Sequence, residues 1–137
     1  MENLLYRLPG IQILTPTGPD RLATFYAFVF LIDPHHTGFT RDEFIAAARE
    51  CGSTELESPT SMRPLHTYPI FTAPRSPVTT YRSSLIRTDM PDADRLAEQA
   101  VRLSVPAEDS PAAHAHMEAV TTGLTGALQR LSSAKVT

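Results

Sequence analysis

Hydrophobic and polar positions alternate along this chain with changing period, and the period predicts the elements. The clearest is Ala23 to Asp33, where Phe25, Tyr26, Phe28, Val29, Phe30, Leu31 and Ile32 run almost unbroken. Aromatic and β-branched enrichment with little alternation predicts a strand covered on both faces. Upstream, Leu4, Leu5 and Leu8 predict the end of a helix stopped at Pro9-Gly10, then a short strand over Ile11–Leu14. Thr15-Pro16-Thr17-Gly18-Pro19 is a turn-rich loop. Downstream, Pro34–Gly38 turns the chain. Thr40-Arg41-Asp42-Glu43 then spells a capping box, with Phe44, Ile45, Ala48 and Cys51 as the apolar stripe of the helix it starts and Gly52 as its stop.

From Ser53 to Pro77 the pattern breaks. Pro59, Pro64, Pro69, Pro74 and Pro77 exclude a long regular element and leave a short strand near Thr54–Leu56. A segment of this kind in a compact domain is functional or disordered. Val78–Ile86 reads as partly extended. Pro91 begins a second helix carrying Ala93, Leu96, Ala97 and Ala100, and Val101–Val105 alternates as a strand closed by Pro106. Ser110 and Pro111 start a last helix with Met117, Val120, Leu124, Leu128 and Leu131 along one face; Gly123 and Gly126 lower its helix propensity. The order predicts an α/β (α+β) two-layer sandwich over residues 1–137, a short mixed sheet packed by about three helices. Residues 1–10 would end an interdomain helix whose upstream neighbour is missing, and 132–137 form a polar tail.

Composition narrows the class. With 42% hydrophobic and 20% charged residues the chain is an ordinary globular domain. A net charge of −3 without a basic run gives nucleic-acid binding no electrostatic basis. No signal peptide opens the chain, and Phe25–Ile32 is too short to span a bilayer, which predicts a protein that does not enter membranes. Cys51 is the single cysteine, so no internal disulfide forms; a reducing, cytoplasmic setting is the expectation.

One set of residues has a family pattern. Arg41-Asp42-Glu43-Phe44 opens a helix, Pro64-Leu65-His66-x-x-Pro69 follows, and Pro91-x-Ala93-x-x-Leu96-Ala97 leads into Leu103-x-Val105-Pro106. In this order they resemble the C-terminal small domain of the DegT-type (DegT/StrS) pyridoxal-phosphate sugar aminotransferases of fold type I. The chain differs from that family at Ser61-Met62-Arg63, where a Gly-Tyr pair is usual, and over Thr72–Met90. The resemblance implies the small-domain half of a split aminotransferase acting on a keto-sugar, keto-cyclitol or related metabolite in natural-product biosynthesis. Its large domain, with pyridoxal phosphate, would come from a partner chain. The alternative is a non-catalytic accessory protein that stabilises a partner aminotransferase. The only lysine is Lys135, in the polar tail, so no Schiff-base lysine is carried here. A small domain without its large domain would expose apolar surface near Leu4–Leu8 and the first strand, and would self-associate when alone.

The resemblance places the Pro-Leu-His loop beside substrate. His66 is its candidate contact, with Arg63 and Tyr68 as neighbours; no catalytic residue is assigned. Beside that stand a loop histidine packed among prolines, a solvated arginine and a domain-packing tyrosine. The remaining candidates are weaker. His35-His36 reads as a turn pair. His114 and His116, two apart on a helix, face different ways and cannot chelate one ion. Cys51 reads as a small buried hydrophobe. No metal site, Ser-His-Asp arrangement or glycine-rich phosphate loop is spelled out. A self-contained enzyme using His66 as an acid–base group lacks an evident second group.

Overall fold

The computed structural model describes residues 5, 8–14, 26–59, 63–72 and 89–134. Along the chain run β1 (Ile11–Ile13), β2 (Ala27–Ile32), α1 (Pro34–Thr37), α2 (Arg41–Glu50), β3 (Leu56–Glu57), a 3-10 turn (Leu65–Thr67), α3 (Pro69–Thr72), α4 (Pro91–Gln99), β4 (Ala100–Ser104) and α5 (Pro111–Ser133). They divide into two compact units. One joins Met1–Ser58 to Gln99–Thr137; the other is Pro59–Glu98.

The first unit holds a four-stranded sheet in the order β1-β2-β4-β3. Every neighbouring pair is antiparallel, with Phe30 opposite both Ile13 and Val101, and Leu103 opposite both Phe28 and Leu56. The mixed sheet expected from sequence is therefore corrected to an antiparallel one. The reason is topological. β2 and β3 run in the same direction, joined by a helical crossover as parallel neighbours would be. The later strand β4 inserts between them and pairs with both, so no parallel contact survives.

Alternation along the strands decides the core. Phe28, Phe30 and Ile32 of β2, Val101 and Leu103 of β4, and Leu56 of β3 join one cluster with Phe44, Ala48, Val120, Leu124 and Ala127 from α2 and α5. Phe30 meets the edge of Phe44 at 6.1 Å between ring centroids, and Phe39 stacks on Phe44 at 5.9 Å. On the opposite face Leu31 and its partner Ala100 are also buried, so β2 is covered on both faces at that end. At its start the expected strand is shortened. Residues 23–25 lie outside the described set, and Tyr26 is a bend, 89% exposed.

The capping box forms as spelled. The Glu43 N–H donates to the Thr40 hydroxyl, and Glu43 Oε2 accepts from the Thr40 N–H at 2.7 Å. Pro34–Gly38, read as a plain turn, is a short helix: Asp33 caps it, Pro34 begins it and Gly38, at φ 70°, ends it. The two glycines that weaken α5 have a packing reason. A Cβ on Gly123 would lie 2.6 Å from Ser53 Cβ, and one on Gly126 would lie 3.1 Å from Cys51 Sγ. They let α5 pass close over the end of α2, where Cys51 is partly buried.

Leu5 is fully buried in this core, and Leu8, Ile11 and Ile13 pack against it. These side chains do not form the exposed apolar surface expected at this end of the chain. Large exposed apolar groups among the described residues are Leu14, Tyr26, Leu65 and Met90 instead.

In the second unit, the 3-10 turn and α3 fall inside the segment read as irregular, and α4 buries none of its residues. Ala100, counted from sequence with the α4 stripe, starts β4 and is fully buried on the sheet. The short strand expected near Thr54–Leu56 lies at Leu56–Glu57. Residues 78–86, read as partly extended, and the tail beyond Ala134 lie outside the described residues. Among the described residues no helix is long and apolar enough to cross a membrane.

Candidate functional site

The segment Arg63–Thr72 is built by its prolines. Pro64, in a polyproline-like conformation, leads into the 3-10 turn, and Pro69 begins α3. The turn is tied by backbone bonds from Thr67 N–H to Pro64 O and from Tyr68 N–H to Leu65 O. The Thr67 hydroxyl donates back to Pro64 O at 2.7 Å. This compact turn sends neighbouring side chains in different directions.

Arg63 and Tyr68 are brought together. The Arg63 guanidinium lies 5.0 Å from the centre of the Tyr68 ring. It also donates from Nε to Thr67 Oγ1 at 2.8 Å and from Nη2 to Thr67 O at 2.9 Å. The planar guanidinium thus staples the turn through two donors and one face.

His66 is engaged separately. Its Nε2 sits 3.0 Å from Asp94 Oδ1 in the first turn of α4, and its side chain is only 9% exposed. A carboxylate accepts, so Nε2 carries a proton. Nδ1 is buried and has no hydrogen-bond partner among the described residues. Burying such a group unpaired costs about 1–3 kcal/mol, so His66 is an oriented, under-satisfied imidazole. Leu65, beside it, is 69% exposed. Of the residues expected at the site, Arg63 and Tyr68 form one cluster and His66 another with Asp94.

Asp94 was missed by sequence reasoning. An acid in the first turn of a helix is explained by the helix dipole alone, and nothing in its spacing points to His66. Asp33 was missed in the same way, although Asp-Pro before a turn is a capping signal. Asp33 Oδ2 lies 2.7 Å from His36 Nδ1, and Oδ1 accepts from the His35 N–H. These two hydrogen bonds, that from His36 first, hold the Asp33 carboxyl below the usual carboxylate range. His114 pairs with Asp109 at 2.6 Å on the surface. No group of three His, Cys, Asp or Glu among the described residues is arranged to hold a metal ion.

The donor set His66, Arg63 and Tyr68 contains no amine, so it does not fit a covalently held pyridoxal phosphate. The chain's single lysine, Lys135, lies outside the described residues. What these groups can do is accept a hydrogen bond, stack and present positive charge. Compared with protein-family models, curated proteins and solved structures, the chain matches none.

Proposed function

We propose that this chain is a small-domain component of a cytoplasmic pyridoxal-phosphate aminotransferase, working on a keto-sugar, keto-cyclitol or related metabolite. A separate lysine-bearing large-domain chain supplies the cofactor and the chemistry. The observation that carries this reading is His66: a largely buried imidazole, oriented by Asp94, with no partner for Nδ1 among the described residues, in the loop that the family resemblance would place on the substrate side. The exposed Leu65 next to it provides apolar contact area for a partner chain. The α+β layering is compatible with the reading and is shared by many unrelated domains.

The role assigned to this chain is positioning. Nδ1 of His66 is buried in the chain alone and accepts a hydrogen bond from a substrate hydroxyl only after docking of the partner shifts the loop and opens it. Arg63 contributes positive charge near an anionic group without leaving its turn. When bound by the partner, pyridoxal phosphate would supply the amino-transfer chemistry.

A second reading is favoured by a different observation. The contacts of Arg63 with Thr67 and Tyr68 lie within its own loop. A loop stapled in this way suits a rigid docking element of a non-catalytic accessory protein. Co-expression with a lysine-bearing large-domain chain separates the readings. The first predicts a yellow complex with aldimine absorbance, activity absent from the partner alone, and a raised KM in His66→Ala. The accessory reading predicts a partner active by itself. Chains that stay apart and colourless would sink both.

A further inference from the structure

The cored unit contains a half-open cavity of about 170 Å³ that plays no part in the reading above. Its apolar lining is Leu8, Ile11, Phe39 and Leu128, and its polar lining includes His36 and Ser132. We propose that this cavity is a binding site for a small, phenol-like molecule: an apolar ring or branched body bearing one hydroxyl that hydrogen-bonds to the His36 ring.

Size is the first argument. An engineered apolar cavity of about 150 Å³ takes benzene, so this one matches a single ring with one substituent.

The second argument is that the walls are fixed before a ligand arrives. Gly10 sits at φ +82°, and its carbonyl accepts from the Asp33 N–H at 2.8 Å. A Cβ on Gly10 would come within 2.7 Å of His36 Cβ and 2.8 Å of Thr37 Cγ2. The turn before β1 is thus pressed against α1 and needs glycine. The buried Thr37 hydroxyl lies 2.9 Å from both Asp33 O and Phe39 O and donates its one hydrogen between them, which ties α1 to the segment behind it. A preformed site avoids part of the ordering cost of binding.

The third argument is the orientation of His36. Its Nδ1 is held 2.7 Å from Asp33 Oδ2, and the hydrogen bonds from His36 and the His35 N–H keep that carboxyl ionised. With Nδ1 engaged by the carboxylate, Nε2 is the ring's remaining hydrogen-bonding position. The His36 side chain lines the cavity and is 70% exposed, which leaves it open to a ligand hydroxyl while the ring of the ligand meets the apolar lining. Small-molecule sites combine these features: an apolar body and one or two oriented polar groups.

The test is a titration of the isotope-labelled full chain with phenol, and separately with toluene, followed by NMR. The site predicts saturable shifts of the Leu8, Ile11 and Leu128 methyl groups and of the His36 ring nitrogens. Phenol binds about five-fold more tightly than toluene, the value of one hydrogen bond. His36→Ala, at an exposed side chain, removes that preference while toluene still binds. Ser132→Trp, on the exposed last turn of α5, covers the mouth and abolishes both. Absence of saturable methyl shifts, equal affinities for the two probes, or binding that survives Ser132→Trp would each overturn the proposal.

Discussion

The two units of this chain are held together by different physics. In the cored unit, strands and helices bury Phe28, Phe30, Phe44, Leu56, Leu103 and Leu124 almost completely. In the unit Pro59–Glu98, the only buried residue among those described is Pro59, and α4 buries nothing. Its order comes from prolines, from the Arg63–Thr67–Tyr68 staple and from the His66–Asp94 pair. Apolar burial is worth roughly 25 cal/mol per Å² and is indifferent to direction. Polar staples are worth about a kcal/mol each and are strongly directional. The first kind of region makes a scaffold; the second fixes a few side chains in chosen orientations.

That contrast can be broken most forcefully in the core. Phe30→Ala removes a fully buried ring and should cost about 3–5 kcal/mol, read as a lower denaturation midpoint with loss of sheet and helix signal together. Gly123→Ala comes next. The added methyl would meet Ser53 Cβ at 2.6 Å and Ser53 N at 3.0 Å. Overpacking of about 1–3 kcal/mol then outweighs the gain of about 1 kcal/mol in helix propensity, so thermal unfolding shifts down. Gly126→Ala meets only the Cys51 side chain, at 3.1 Å, and should be milder.

A smaller effect belongs to the caps. Thr40→Ala removes the acceptor for the Glu43 N–H and should cost about 1 kcal/mol. The same site gives a pH dependence with a definite sign. The hydrogen bonds from the Thr40 N–H and hydroxyl hold the Glu43 carboxyl below its usual range, as those from His36 and the His35 N–H hold Asp33. Groups with lowered folded values stabilise the fold above the usual carboxylate range. That stabilisation is lost as pH falls through the folded values. A melting temperature followed downward from neutral pH should fall in the acid range, and less steeply in Glu43→Gln and Asp33→Asn. The smallest effect sharpens the comparison: Asp94→Asn weakens a partly exposed pair worth about 0–1 kcal/mol. It should leave the core transition in place while speeding amide exchange at Leu65–Tyr68.

What sequence made legible follows the same division. Where burial decides, local pattern was enough: the strand around Phe28–Ile32, the Thr40–Glu43 box and the apolar face of α5 all appear where their spacing puts them. The sheet's direction was not legible, because a helical crossover between β2 and β3 looks the same whether or not β4 enters between them. Gly123 and Gly126 read as weaknesses because their function, close passage over Ser53 and Cys51, lies on a different element. The candidate site was half legible. Its loop could be found from the Pro-Leu-His pattern, but the partner of His66 is distant in sequence and ordinary in type. Polar pairs of that kind are set by geometry that no single-chain spacing encodes.

The proposed function makes the segment around His66 the surface that meets an aminotransferase partner chain. Amide hydrogen exchange of the chain, alone and mixed with a lysine-bearing large-domain aminotransferase chain, tests it most directly. The account predicts slow exchange in β2, β4, α2 and α5 in both samples, and new protection on mixing confined to Arg63–Thr72. Unchanged exchange across Arg63–Thr72, or protection appearing instead over β2 and α5, would contradict it.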